Sequence, residues 1–193
     1  AAKIPFATRS AADPFNLLVF GGSQGARFFS EILPDALALV GEKLRRQLVV
    51  TLQSRPEDKV KAEQALEKLN IASNVQSFFT DLPQKIAGSQ LVMCRSGASS
   101  VAELALIGRP SILVPLPGAL DDDQGANAAH LDRIGGATLI RQKDLTPEIF
   151  SRILTEAIEL PDALALQAEK AKSAGIADAA TRLADLVEQH ASH

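Results

Sequence analysis

Apolar positions along this chain alternate between short runs and longer periodic stretches. Runs at 17–20, 48–52, 75–79, 91–94, 112–116 and 137–140 predict six strands. Helical periodicity between nearly all of them, near 24–40, 56–69, 82–87, 99–107 and 122–134, predicts helices. Such alternation predicts an α/β domain with a doubly wound, parallel six-stranded sheet covered by helices on both faces. Three more helical stretches follow, at 147–159, 162–173 and 178–190, and the last carries Leu183, Leu186 and Val187 as one apolar stripe that needs a surface to cover. Residues 1–16 have no clear period and hold two prolines. They read as a linker or chain end ahead of a body at 17–193, with a further domain expected upstream.

Two predicted strands run through glycine into a predicted helix. Residues 91–94 lead into Arg95-Ser96-Gly97-Ala98-Ser99-Ser100-Val101-Ala102-Glu103, where Gly97 is expected to turn the backbone and a helix to begin at Ser99 or Ser100. The first N–H groups of a helix have no partner within it and attract anions. Glu103 lies four residues after Ser99, about one turn (roughly 5 to 6 Å) along the same face. A nucleoside diphosphate at that helix end would present its ribose hydroxyls to this carboxylate. The same residues also fit a capping box, in which Ser100 and Glu103 satisfy backbone donors and bind nothing. Residues 17–26 repeat the arrangement: Gly21 and Gly22 permit close approach of a ligand to backbone, and Ser23 adds a hydroxyl donor. This is neither G-x-G-x-x-G nor a Walker loop, and glycine in such a turn serves packing as readily as phosphate contact.

A third segment, 117–127, follows the fifth predicted strand at its carboxyl end, where open α/β sheets take ligands. Asp121 to Asp123 contain D-x-D, a pattern that can hold a divalent cation, although carboxylates at a helix start also serve as caps and dipole partners. Gln124 and Asn127, three apart, can share a face and hydrogen-bond sugar hydroxyls.

With 193 residues, 46% of them apolar and 22% charged, the chain can bury one sizeable core. A net charge of −3 without a basic run argues against a nucleic-acid partner. No apolar segment approaches the roughly 20 residues that span a bilayer, so any membrane contact is expected to be peripheral. Cys94 is the single cysteine, which excludes an intrachain disulfide, and its strand-end position predicts a buried structural thiol. His130, His190 and His193 show no metal-ligand spacing with one another or with Cys94, so neither metal nor cofactor is expected.

Taken in order, Gly-Gly-Ser-Gln-Gly-Ala-Arg (21–27), Cys-Arg-Ser-Gly-Ala-Ser-Ser-Val-Ala-Glu (94–103) and the Gln124 to Asn127 region resemble the C-terminal domain of the MurG family, over about residues 17–190. The resemblance implies the Rossmann-like C-terminal half of a GT-B glycosyltransferase, with UDP-GlcNAc as its donor. Ser23 and the backbone of Ala98, Ser99 and Ser100 would meet the diphosphate, and Glu103 the ribose. Phe79, following Phe78, would frame the uracil mainly through backbone groups. Gln124 would contact the GlcNAc hydroxyls that distinguish it from its C4 epimer, with Asn127 nearby. Asp123 departs from the family's paired glutamines, and an ionised carboxylate can only accept hydrogen bonds.

The resemblance further implies inverting transfer of GlcNAc to the C4 hydroxyl of undecaprenyl-pyrophosphoryl-MurNAc-pentapeptide in peptidoglycan synthesis. The enzyme would sit peripherally at the cytoplasmic face of the bacterial inner membrane. The family's acceptor site, second glycine-rich loop and membrane-facing patch belong to an N-terminal domain without a counterpart in these 193 residues. The catalytic base is therefore unassigned, and the isolated chain is expected to bind donor without transferring it. Three other readings stand beside this one: the donor subunit of a two-chain polyprenyl-linked GlcNAc transferase, a nucleotide-sugar epimerase of the same fold, and a non-catalytic nucleotide-sugar-binding module.

Overall fold

The computed structural model describes residues 4–10, 13–118 and 122–176, without the side chains of residues 23–26. The predicted helix at 178–190 and Asp121 lie outside the described residues. Six strands, β1 (Phe15–Phe20), β2 (Leu48–Gln53), β3 (Ala72–Gln76), β4 (Leu91–Cys94), β5 (Ser111–Leu113) and β6 (Ala137–Leu139), form one sheet. Every pairing in it is parallel, in the order β3-β2-β1-β4-β5-β6. The helices are α1 (Gly22–Leu39), α2 (Glu42–Arg45), α3 (Pro56–Lys68), α4 (Leu82–Ala87), α5 (Ala98–Ile107), α6 (Asp123–Arg133), α7 (Pro147–Glu159) and α8 (Pro161–Ser173).

The central strands are mostly apolar because both faces of the sheet are covered. Alternate residues of β1 show the division. Phe15, Leu17 and Val19 enter one core with Phe29 and Leu33 of α1, Leu66 of α3 and Phe150 of α7. Leu18 and Phe20 enter the other with Ile86 of α4, Leu104 of α5 and Leu131 of α6. α8 closes one flank: a Cβ on Gly136, just before β6, would lie 2.8 Å from the backbone of Ala171.

Several local expectations need correction. β3 covers 72–76 where apolar character predicted 75–79. Phe78 and Phe79 mimic a strand, but Phe79 belongs to the second core and Phe78 stands 70% exposed. The true strand is a polar sheet edge, with Val75 as its buried residue. α5 begins at Ala98, with Gly97 as its cap residue, so Ser100 is the third helical residue and the predicted Ser100–Glu103 capping box is absent. Gly97 itself has ordinary extended angles (φ −59°, ψ 149°), so no glycine-specific turn occurs there. The short α2 and a 3₁₀ turn at Gln142–Asp144 had no periodic signal.

The stretch read as a linker is partly structured, since β1 starts at Phe15. Arg109, 2% exposed, donates to the carbonyls of Ile4 and Pro5 at 3.2 and 3.3 Å and lies over the Phe6 ring. That buried guanidinium fastens residues 4–6 to the body.

Candidate active-site cleft

β1 and β4 are neighbours, yet β1 leads onward to β2 on one side and β4 to β5 on the other. The loops at their carboxyl ends therefore diverge, and open sheets of this kind bind ligands in the resulting crevice. A cleft of about 590 Å³ lies there, walled by Gly21 and Gly22 after β1, Gln53 ending β2, Ser77 to Phe79 after β3, and Arg95 and Gly97 after β4. Phe20, Leu82, Ser100, Leu116 and Gln124 complete it.

Two helices begin at this cleft with a glycine cap; at α1 the Gly21 and Gly22 N–H groups already donate to Gln53 Oε1, at 3.3 and 3.0 Å. α1 and α5 have glycine caps (Gly21 and Gly97), no side-chain capping bond and no acidic residue in the first turn. α3 and α6, by contrast, carry Glu57 with Asp58, and Asp123, in their first turns, and α7 is capped by the Thr146 hydroxyl. The positive dipole end and the first-turn N–H groups, in α1 those beyond Gly22, make the first two starts suited to an anion. Gly22 adopts φ +65°, a conformation costly for any residue with a Cβ, and an added Cβ would meet nothing within 4 Å. Glycine is thus required there by backbone conformation, with side-chain packing playing no part.

The predicted site residues divide into two groups. Phe79, Ser100 and Gln124 line the cleft, and Ala98 and Ser99 stand at the start of α5 beside them. Ser23 lies in the first turn of α1, with its side chain outside the description. Glu103, half-buried and one turn along α5, is not among the lining residues. Neither is Asn127, whose side-chain amide donates to the Ser96 carbonyl at 3.2 Å and so braces the β4–α5 turn. Gln124 is oriented by its own backbone surroundings: its Oε1 accepts from Leu116 N at 3.0 Å, leaving the NH₂ group free to face a ligand.

Arg95 and Gln53 were not singled out by sequence. Gln53 ends β2 and Arg95 directly follows β4, each a long polar side chain at a strand end, a signal that is visible once the strand ends are known. Arg95 is 7% exposed and is the charged residue among those that line the cleft. It donates to the carbonyls of Val114 and Pro115 at 3.1 Å each and to Gln142 Oε1 at 2.6 Å, and its guanidinium lies 4.8 Å from the Phe29 ring centroid. Burial lowers its pKa from the ordinary arginine value, and the charge is retained at neutral pH. Its Nε and the neighbouring Ser96 Oγ are buried without a hydrogen-bond partner among the described residues.

Cys94 is fully buried and free, and burial drives its thiol well above the ordinary range. A neutral, enclosed thiol of this kind is inert as a nucleophile. The aspartates of the third segment have local partners. Asp122 forms a bidentate pair with Arg141, which lowers its pKa, and Asp123 Oδ1 accepts from Gln124 N at 2.9 Å. Among the described residues no three His, Cys, Asp or Glu side chains gather where a metal could be held.

Residues 16–183 match the glycosyltransferase family 28 C-terminal domain. The chain is 52% identical over 188 residues to the UDP-N-acetylglucosamine–N-acetylmuramyl-(pentapeptide) pyrophosphoryl-undecaprenol N-acetylglucosamine transferase of Rhizobium rhizogenes, covering 97% of this chain and 50% of that protein. It is also 52% identical over 192 residues to the enzyme of the same name from Sinorhizobium medicae, covering 100% of this chain and 51% of that one. Among solved structures, Acinetobacter baumannii MurG superposes with a TM-score of 0.84 at 31% identity, over 94% of this chain and 54% of that protein. The chain thus spans about half the length of the curated relatives it matches. A six-stranded parallel sheet with its cleft at the strand-order reversal, together with identity at this level along the whole sequence, places the chain in glycosyltransferase family 28 as a C-terminal domain of the MurG type.

Proposed function

We propose that the cleft holds UDP-GlcNAc and that the chain is the donor half of a transferase moving GlcNAc to the C4 hydroxyl of undecaprenyl-pyrophosphoryl-MurNAc-pentapeptide, lipid I to lipid II, in peptidoglycan synthesis. The observation that carries this reading is the pair of glycine-capped, acid-free helix starts, α1 and α5, facing one cleft at the strand-order reversal. The diphosphate lies between the Gly21–Ser23 turn and the N–H groups of Ala98, Ser99 and Ser100. Uracil sits against the backbone of Phe79, and the ribose hydroxyls reach Glu103. Gln124, with its carbonyl engaged by Leu116, donates from its NH₂ group to the sugar hydroxyls. Asn127 acts by holding the β4–α5 turn.

In direct displacement at the anomeric carbon, the acceptor's C4 oxygen forms the new bond as the bond to the UDP phosphate oxygen breaks, and configuration inverts. Negative charge grows on the departing UDP. Two helix N-termini and the buried Arg95 cation are preorganised to stabilise it. The base that takes the C4 proton and the lipid-acceptor site belong to the remaining half of the enzyme, which meets the cytoplasmic face of the membrane peripherally. Among the described residues no helix is long and apolar enough to cross a membrane.

Calorimetric titration of this chain with UDP-GlcNAc, UDP-GalNAc and UDP tests the reading. Preference for UDP-GlcNAc is expected, with no GlcNAc transfer to lipid I by this chain alone. Glu103→Ala removes a charge-assisted contact of about 1.5 to 3 kcal/mol and weakens donor binding roughly 10- to 150-fold. Unchanged affinity in that variant refutes the ribose role, and a folded chain indifferent to all three ligands refutes the donor site.

A further inference from the structure

Gln53 ends β2 and projects its amide between two walls of the cleft. Its Oε1 accepts from the backbone N–H groups of Gly21 at 3.3 Å and Gly22 at 3.0 Å, on the β1–α1 turn. Its Nε2 donates to the Ser77 carbonyl at 3.3 Å, on the loop that carries Phe78 and Phe79. One side chain therefore joins the wall assigned to phosphate to the wall assigned to the base.

We propose that Gln53 is a positioning residue that sets the distance between the phosphate end and the base end of the nucleotide site. The inference rests on the nucleotide reading of the cleft and goes beyond it by naming what fixes its span. Side-chain packing does not fix the glycine turn, because a Cβ at Gly22 would touch nothing within 4 Å. On the far wall Phe79 is anchored in the second core, whereas Phe78 is exposed. A primary amide on a side chain of this length accepts from two N–H groups with its oxygen and donates to a carbonyl with its nitrogen. A carboxylate keeps the first function and loses the second, and a methionine of similar length loses both. The strand itself does not depend on this amide, since Gln53 stays in register with Gln76 and Ser54 N donates to the Gln76 carbonyl at 3.0 Å.

The test compares ligands that bridge both walls with ligands that occupy one. UDP, uridine and inorganic pyrophosphate are each titrated against the 193-residue chain and Gln53→Met, with binding followed by NMR. Amide hydrogen exchange is measured in both without ligand. A loosened tie costs a bridging ligand the advantage of having its two ends preset. We expect UDP to weaken about 10-fold, the equivalent of one or two lost hydrogen bonds, with uridine and pyrophosphate changed by less than about 3-fold. Exchange at Gly21 and Gly22 should quicken.

Equal weakening of all three ligands, unchanged or tighter UDP binding, or unaltered exchange at the two glycines overturns the proposal. If the unsubstituted chain binds none of the three, the nucleotide reading itself has failed and the proposal goes with it. Should Gln53→Met not fold, Gln53→Glu replaces it. That variant keeps the acceptor for the glycines, loses the donor to Ser77, and is expected to weaken UDP at least 10-fold with uridine unaffected.

Discussion

Replacing Arg95 by methionine tests whether the buried cation organises the cleft floor. The substitution removes hydrogen bonds to Val114 O, Pro115 O and Gln142 Oε1, and the ring contact with Phe29. Bonds to a charged donor contribute about 1.5 to 3 kcal/mol each, so three amount to roughly 5 to 9 kcal/mol gross. Against this stands the relief of keeping a guanidinium away from water, several kcal/mol per buried ion. Methionine also replaces part of the apolar packing against Phe28 and Phe29. The net expectation is a loss of about 2 to 4 kcal/mol.

In urea unfolding, a slope near 2 kcal/mol per molar turns that loss into a midpoint lowered by about 1 to 2 M. Arg95→Lys should fall between the two, because an ammonium cannot reach three acceptors arranged for a planar fork. A midpoint within about 0.3 M of the unsubstituted chain, or above it, would refute the reasoning. It would mean that the desolvation cost of the cation had cancelled its bonds.

Two other outcomes follow from burial and packing. Folded chain should resist a thiol reagent that labels Cys94 rapidly in urea; equal labelling rates would contradict the enclosed thiol. Because burial raises its folded pKa, the thiol's contribution to stability is complete below the unfolded value near 8.5 and declines as pH rises above it. Cys94→Ala should therefore flatten the fall in urea midpoint between about pH 8.5 and 10, and an unchanged slope there would exclude the thiol as its source. Gly136→Ala would drive a Cβ to 2.8 Å from the Ala171 backbone and should cost about 1 to 3 kcal/mol, lowering Tm by several degrees in calorimetry. An unshifted Tm would show that α8 moves aside freely.

Much of the architecture was legible because it is written in local periodicity. β4 and α4 begin and end where the apolar pattern places them, and α3 and α7 do so within a residue. Both glycine-bearing turns do lead from a strand into a helix. Errors arose where burial came from distant partners. Phe79 is apolar because it fills the second core from a loop, a pattern identical in sequence to the end of a strand. Ser100 looks like a helix cap, yet Gly97 takes that place, with angles that the three-residue shift alone does not reveal. The bond from the Asn127 amide to the Ser96 carbonyl likewise had no local signal.

The sequence alone determined most of the strands and helices, that the sheet is parallel, and that glycine-bearing segments follow the first and fourth strands. These properties depend on the period of apolar residues and on backbone sterics within a few positions. Only the tertiary structure decided that those two turns share a cleft, because that depends on β1 pairing with β4, Leu17 beside Leu91, far apart in the chain. The same pairing brings Arg95 to the cleft, and the pairing of β2 with β1 and β3 lets Gln53 join its walls. Hydrogen bonds such as Arg95 to Gln142 or Gln53 to Gly22 connect residues far apart in the chain, and no local pattern encodes them.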